Sequence, residues 1–235
     1  MDKLYIVMPA YNEEANIEEV VISWHQVLTE CGAEGSKLLV ADSGSVDKTH
    51  SILLELNKIH NNIEILDNEL TTHGPKLIAL YNYAIADGAD YIFQTDSDGQ
   101  TNPKEFAQFW NKRNDYDVII GRRRVRGDGF SRKVIEVILC GILLVIFGVK
   151  VPDSNAPFRL MRAEVLGKYM PRFAKDYNLP NVMLTTFFAK YKENMDFIEI
   201  TFKPRQGGKN SLNVAKIVKI GIKAFSDFFD FKKNM

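Results

Sequence analysis

Two aspartates one residue apart, Asp96-Ser97-Asp98, come directly after the apolar run Tyr91-Ile92-Phe93-Gln94-Thr95. Carboxylates crowded at a strand end repel one another unless a cation joins them, and hard oxygen ligands with room for a substrate's phosphates suit Mg²⁺ or Mn²⁺. Gln100 adds a further oxygen donor beside them. Taken alone, the same residues also describe a polar turn bent at Gly99. A second acidic loop, Asp42-Ser43-Gly44-Ser45-Val46-Asp47, follows another apolar run. Asp47 has the place of a helix N-cap. Asp42 stands between strand and turn, where a carboxylate accepts a hydrogen bond from a nucleobase N–H or a ribose hydroxyl. Arginines gather at Arg122, Arg123, Arg124 and Arg126; they read either as a loop closing over phosphate through bidentate, charge-assisted bonds or as a solvated basic loop. His25, His50, His60 and His73 are dispersed and suggest no ligand set; His73, just before Gly74, is the one expected in a loop near the acidic motifs.

The elements that must position these groups follow from the apolar pattern. Short β-branched runs predict strands at Leu4 to Met8, Lys37 to Ala41, Ile63 to Leu66, Tyr91 to Thr95 and Val118 to Gly121. Between the first two, Ile17, Val20, Val21, Trp24, Val27, Leu28 and Cys31 recur at helical spacing. Alternating strands and helices predict βαβ units, hence an α/β fold with a mostly parallel sheet flanked by helices, and such sheets bind ligands beyond the carboxyl ends of their strands. The acidic motifs fall there. After residue 121 helical periodicity takes over and basic residues concentrate, six Lys or Arg against two acids from Gly121 to Glu136 and eight against two from Thr201 to Met235. Val134 to Val149 carries a single charge, Glu136, over sixteen residues. That falls short of the roughly 20 apolar residues that span a bilayer and predicts a buried or interfacial helix.

A chain of 235 residues with 46% hydrophobic content suffices for one sizeable domain with a real core, which excludes disorder. Thirty basic against thirty acidic residues argue against a general nucleic-acid binder. Cys31 and Cys140 have no metal or disulfide spacing, which fits a reducing cytoplasm, and the short apolar run at Leu4 has no signal-peptide pattern. From Val214 to Phe231 one helical face collects Val214, Ile217, Val218, Ile222, Phe225, Phe228 and Phe229 while Lys216, Lys219 and Lys223 share the other. This helix either packs on its own domain or lies in a membrane interface.

Val7-Met8-Pro9-Ala10-Tyr11-Asn12-Glu13-Glu14, then Asp42-Ser43-Gly44-Ser45, then Asp96-Ser97-Asp98-Gly99-Gln100 resemble, in order and spacing, the family 2 glycosyltransferases. The flavour is that of the dolichol-phosphate mannose synthase and polyprenyl-phosphate glycosyltransferase branch. Gly121 to Arg123 resembles its G-S-R element, Val151 to Met161 its D-x-x-x-G-F-R-L segment and Arg205 to Ser211 its late R-x-x-G-x-S element. The resemblance implies a GT-A type nucleotide-sugar-binding fold with C-terminal amphipathic helices. It implies one glycosyltransferase domain over residues 1–235: a donor half to 121, an acceptor half over 122–211 and an amphipathic helix over 212–235. Pro9, Tyr11, Glu13, Asp42 and Asp96 would then bind a UDP or GDP sugar donor. Asp96, Asp98 and Gln100 would hold Mg²⁺ or Mn²⁺. Arg123, Arg132, Arg159, Arg205, Lys209 and Ser211 would meet the acceptor or its phosphate, and Asp153 and Arg123 would be catalytic, with Asp153 as the base for a hydroxyl acceptor. The implied reaction is inverting sugar transfer to a polyprenyl phosphate by a cytoplasmic enzyme peripheral to the membrane. A surface-polysaccharide hydroxyl as acceptor, or a nucleotide-sugar-binding module without turnover, are the alternatives. Three positions depart from the family pattern: Ser43 for Asp, Gly99 for Leu and Pro157 for Gly.

Overall fold

The structure is a computed structural model; it describes residues 2–66, 72–126, 130–204 and 225–233, and of 124–133 the backbone where described but not the side chains. The first half follows the alternation. Strands β1 (Leu4–Ala10), β2 (Lys37–Asp42), β3 (Ile63–Leu66) and β4 (Tyr91–Gln94) are separated by helices α1 (Ile17–Cys31), α2 (Thr49–Ile59) and α3 (His73–Ala86). β1 pairs in parallel with β2 and β4, and β2 with β3. Their side chains alternate between two cores. Leu4, Ile6 and Met8 face a layer with Trp24, Leu28, Phe106 and Phe109, while Tyr5 and Val7 face Leu77, Tyr81 and Leu184. A sheet buried on both faces reads as a continuous apolar run, which is why β1 was legible without alternation.

The second half departs from its helical reading. After α4 (Phe106–Asn111), β5 runs from Val118 to Arg126 and α5 from Phe130 to Phe147; β6 (Arg159–Arg162), α6 (Ala163–Gly167), α7 (Pro180–Lys190) and β7 (Met195–Phe202) follow. The strands order as β3-β2-β1-β4-β6-β5-β7. β6 is antiparallel to both β4 and β5. β6 escapes sequence pattern because it is four residues long and bounded by Arg159 and Arg162. β7 is an edge strand with little burial before Ile200, so its apolar run is weak. β5 extends past Gly121 because β7 pairs with it as far as Arg126. Arg122, Arg123, Arg124 and Arg126 therefore stand on a strand, which corrects the loop expected for them.

A final helix, α8, covers residues 225–233. Phe228 is buried against Phe147, and Phe231 packs on Phe173, Tyr177 and Phe187. Phe225 and Phe229 are exposed. The helix thus packs on its own domain through half of its phenylalanines. Its expected lysine face, and the late element with Arg205, Lys209 and Ser211, lie outside the described residues, as does the side chain of Arg132.

Candidate active site

Parallel strands bring their carboxyl ends to one edge, and β1, β2 and β4 deliver Ala10, Asp42 and Gln94 there together; Ala10 and Asp42 are direct partners in register. Asp42 is buried, with Oδ1 accepting from Ser45 Oγ at 2.5 Å and Oδ2 3.1 Å from His50 Nδ1. Gly44 takes φ +78°, the left-handed turn that lets Ser45 fold back onto Asp42. Asn12 binds this loop to the one after β1: its N–H donates to Ser45 Oγ at 3.0 Å and its Oδ1 accepts from Val46 N–H at 2.8 Å. Glu13 is buried, its N–H donating to Thr49 Oγ1 at 2.7 Å. Burial pushes the Asp47 carboxyl up, but bonds from Thr49 and from the Glu14 N–H outweigh it and hold the group below its usual range. Tyr11 stands 44% exposed above this floor, a ring face open to a ligand.

Sequence reasoning missed Lys76. Its ammonium is 1% exposed and donates to the carbonyls of Ala10 at 2.7 Å and Ser43 at 2.9 Å, so it pins the ends of β1 and β2, and it lies 5.4 Å from the Tyr11 ring centroid. Burial pulls its pKa down, and Asp42 pulls it partly back. The available signal was its spacing: Lys76 shares a helical face with Leu80, itself fully buried. His50, also given no role, is brought to Asp42 by the turn of chain between them.

The loop of Asp96 and Asp98 is tied to β1 by Ser97 Oγ, which donates to the Pro9 carbonyl at 2.9 Å. Gly99 at φ +72° turns the chain so that Gln100 N–H donates back to Asp98 Oδ1 at 3.1 Å. Gln100 Nε2 donates to the Lys203 carbonyl at 2.7 Å, which leaves the amide oxygen as its acceptor. Asp96 is partly exposed and 3.3 Å from His73 Nε2. Among the described residues no three His, Cys, Asp or Glu side chains close around one point. Two carboxylates and an amide oxygen at one edge are too few for a resident cage, but they fit a hard cation that takes its remaining ligands from phosphate and water.

Among the residues expected to meet an acceptor, the structure pairs Arg123 with Asp153. Nε and Nη2 of Arg123 meet Oδ2 and Oδ1 of Asp153, each at 2.8 Å, and both side chains are nearly buried. Glu136 Oε2 lies 3.8 Å from Arg123 Nη2. Arg159 is fully buried, donating to the carbonyls of Ala156 at 2.9 and 2.6 Å and of Asn181 at 3.2 Å. The structure thus draws Pro9, Tyr11, Glu13, Asp42, Asp96, Asp98 and Gln100 to one edge. It sets Arg123 and Asp153 against each other, and it holds Arg159 in the interior.

The family model for glycosyl transferase family 2 matches residues 5–170. An undecaprenyl-phosphate 4-deoxy-4-formamido-L-arabinose transferase of Proteus mirabilis is 24% identical over 225 residues, 94% of this chain and 66% of that protein. An uncharacterised glycosyltransferase of Synechocystis is 26% identical over 235 residues, 96% of this chain and 69% of that protein. This chain therefore spans about two thirds of the length of these curated relatives. Among solved structures, glucosyl-3-phosphoglycerate synthase of Mycobacterium tuberculosis in complex with Mn²⁺, UDP-glucose and phosphoglyceric acid superposes with a TM-score of 0.70 at 17% identity, over 99% of this chain and 80% of that one. S. aureus TarS 1-349 superposes with a TM-score of 0.58 at 18% identity, over 86% and 60%. The fold is the GT-A type that the motifs implied.

Proposed function

Because the chain belongs to glycosyl transferase family 2 and is a glycosyltransferase, we propose that it transfers a sugar, with inversion, from a nucleoside diphosphate to a polyprenyl phosphate at a membrane surface. The observation that carries the acceptor is helix α5. Val134, Ile135, Val137, Ile138, Leu144 and Val145 are all exposed on it, the last at 84%. The same helix reaches the acceptor loop through Glu136, whose Oε1 accepts from Ser154 N–H and Oγ at 2.7 Å each. An apolar face for isoprene or acyl chains thus adjoins the loop that would meet their phosphate. The name of the Proteus relative supports the same acceptor. No helix among the described residues is long and apolar enough to cross a membrane, so attachment through α5 would be lateral, and two free cysteines suit the reducing cytoplasmic side.

In this reading Asp42 accepts the base N–H and Tyr11 offers a stacking face, while Asp96, Asp98 and Gln100 would hold Mg²⁺ or Mn²⁺ against the diphosphate. A bound cation there would neutralise charge developing on the leaving group. The acceptor oxygen forms its bond to the anomeric carbon as the bond from that carbon to the diphosphate breaks, and the nucleoside diphosphate leaves with the electron pair. Both Asp153 oxygens are engaged by Arg123, which favours an acceptor that is already anionic and needs no base. A saccharide hydroxyl is the second reading. It is favoured by the two carboxylates, Asp153 and Glu136, that already stand against Arg123; a phosphate would have to be drawn by cations other than Arg123.

The test uses a panel of UDP- and GDP-hexoses with undecaprenyl phosphate in anionic vesicles or with soluble saccharides. Lipid-linked product and co-sedimentation with vesicles, lost in a Val137→Glu, Val145→Glu double variant, are expected. Transfer to a soluble saccharide without lipid would overturn the acceptor.

A further inference from the structure

We propose that Glu136 is the positioning residue of the acceptor loop, holding it in the one shape that admits an acceptor while leaving donor chemistry untouched; the proposal rests on the sugar-transfer reading above. Glu136 is the single charge in an otherwise apolar stretch of sixteen residues, Val134 to Val149, and a carboxylate so placed is retained only where it is bonded. Its side chain is 12% exposed. One oxygen takes both donors of Ser154, and the other faces Arg123. Ser154 is fully buried and engaged at every polar atom, since its carbonyl accepts from Thr185 Oγ1 of α7 at 2.9 Å. Its neighbour Asp153 receives Arg123 through Nε, Nη2 and the backbone N–H at 3.3 Å. Three elements therefore grip two adjacent residues: α5 through Glu136, β5 through Arg123 and α7 through Thr185.

None of these bonds reaches the edge where Asp42, Asp96 and Asp98 stand. Loss of the α5 grip should free the backbone at Ser154 and let Arg123 and Asp153 shift together, without disturbing the donor pocket. The geometry therefore separates two activities, transfer to the acceptor and slow transfer to water.

The experiment compares wild type with Glu136→Gln, Glu136→Asp and Ser154→Ala, using whichever UDP- or GDP-hexose the wild type hydrolyses and undecaprenyl phosphate in vesicles as acceptor. Glu136→Gln keeps the shape but turns an amide N–H₂ toward Ser154 or Arg123. We expect its acceptor KM to rise at least about tenfold and its transfer-to-hydrolysis ratio to fall by a similar factor, with donor KM and hydrolysis rate within about twofold of wild type. Glu136→Asp should recover part of the loss, and Ser154→Ala, which removes one of the two bonds, should lie between. Equal acceptor KM in Glu136→Gln and wild type would overturn the proposal, as would a parallel fall in hydrolysis and transfer in all three variants, the mark of a merely structural role. A wild type that transfers sugar only to soluble saccharides refutes the lipid acceptor, and the same KM comparison is then read on that saccharide. A wild type that neither hydrolyses nor transfers any donor refutes the sugar-transfer reading and the proposal with it.

Discussion

Replacing Lys76 by methionine tests whether the donor edge is held together as described. Methionine keeps most of the stem and removes the ammonium, so the carbonyls of Ala10 and Ser43 lose the donor that meets them at 2.7 and 2.9 Å. Each buried carbonyl left without that partner costs about 1–3 kcal/mol. Part is offset because the ammonium no longer has to be desolvated, the effect that pulls its pKa below the usual value. A net loss of about 2–4 kcal/mol follows. At roughly 2–4 °C per kcal/mol for a chain of this size, the melting temperature should drop by about 4–16 °C. Melts at several pH values add a sign. Burial holds the Lys76 ammonium below the ordinary lysine value of 10.5 in the folded protein, so between its folded and ordinary values the unfolded chain binds more protons and wild-type stability rises with pH. That component is present above the unfolded pKa and lost as pH falls through the folded one. The variant lacks it, so its deficit should widen as pH climbs toward 10.5. A variant melting within about 1 °C of wild type, or a deficit that narrows with rising pH, would refute the reasoning.

Asp98→Ala should lower sugar transfer by about 100-fold or more, and a chelator should do the same to wild type without lowering its melting temperature, because no cage of three ligands among the described residues depends on metal for its fold. Asp42→Ala should weaken nucleoside diphosphate binding about tenfold by calorimetry, with or without metal; unchanged affinity would make Asp42 a purely structural partner of Ser45 and His50. Gly99→Ala should cost about 1–2 kcal/mol in a thermal melt, since its φ of +72° and not crowding sets the penalty; an added Cβ would meet Val20 Cγ2 at an ordinary 3.7 Å.

The edge that carries Asp42, Asp96 and Asp98 was legible because its information is local. β1, β2 and β4 are each buried on both faces and each runs straight into its polar loop, so apolar run and motif lie side by side in the chain. Once such strands are parallel, their loops must meet, whatever the details of packing. The region of Arg123, Asp153 and Arg159 was legible only as motifs. Arg123 and Asp153 are thirty residues apart, and no spacing rule says that one neutralises the other. Arg159 was expected to meet an acceptor, yet β6 lies between β4 and β5 and carries it into the interior, where backbone carbonyls accept its hydrogen bonds.

By itself, the order of residues determined the α/β class, the family and the cluster of Asp42, Asp96 and Asp98, since strand propensity and turn chemistry act over a few neighbours. Only tertiary structure decided which charges are spent inside the protein: Lys76 beneath Tyr11, Arg159 beneath the sheet, Glu136 against Ser154. Burial is a property of what lies opposite a side chain, and each of these meets groups from another element: Lys76 the ends of β1 and β2, Arg159 the helix α7 at Asn181 and Thr185, Glu136 the loop at Ser154.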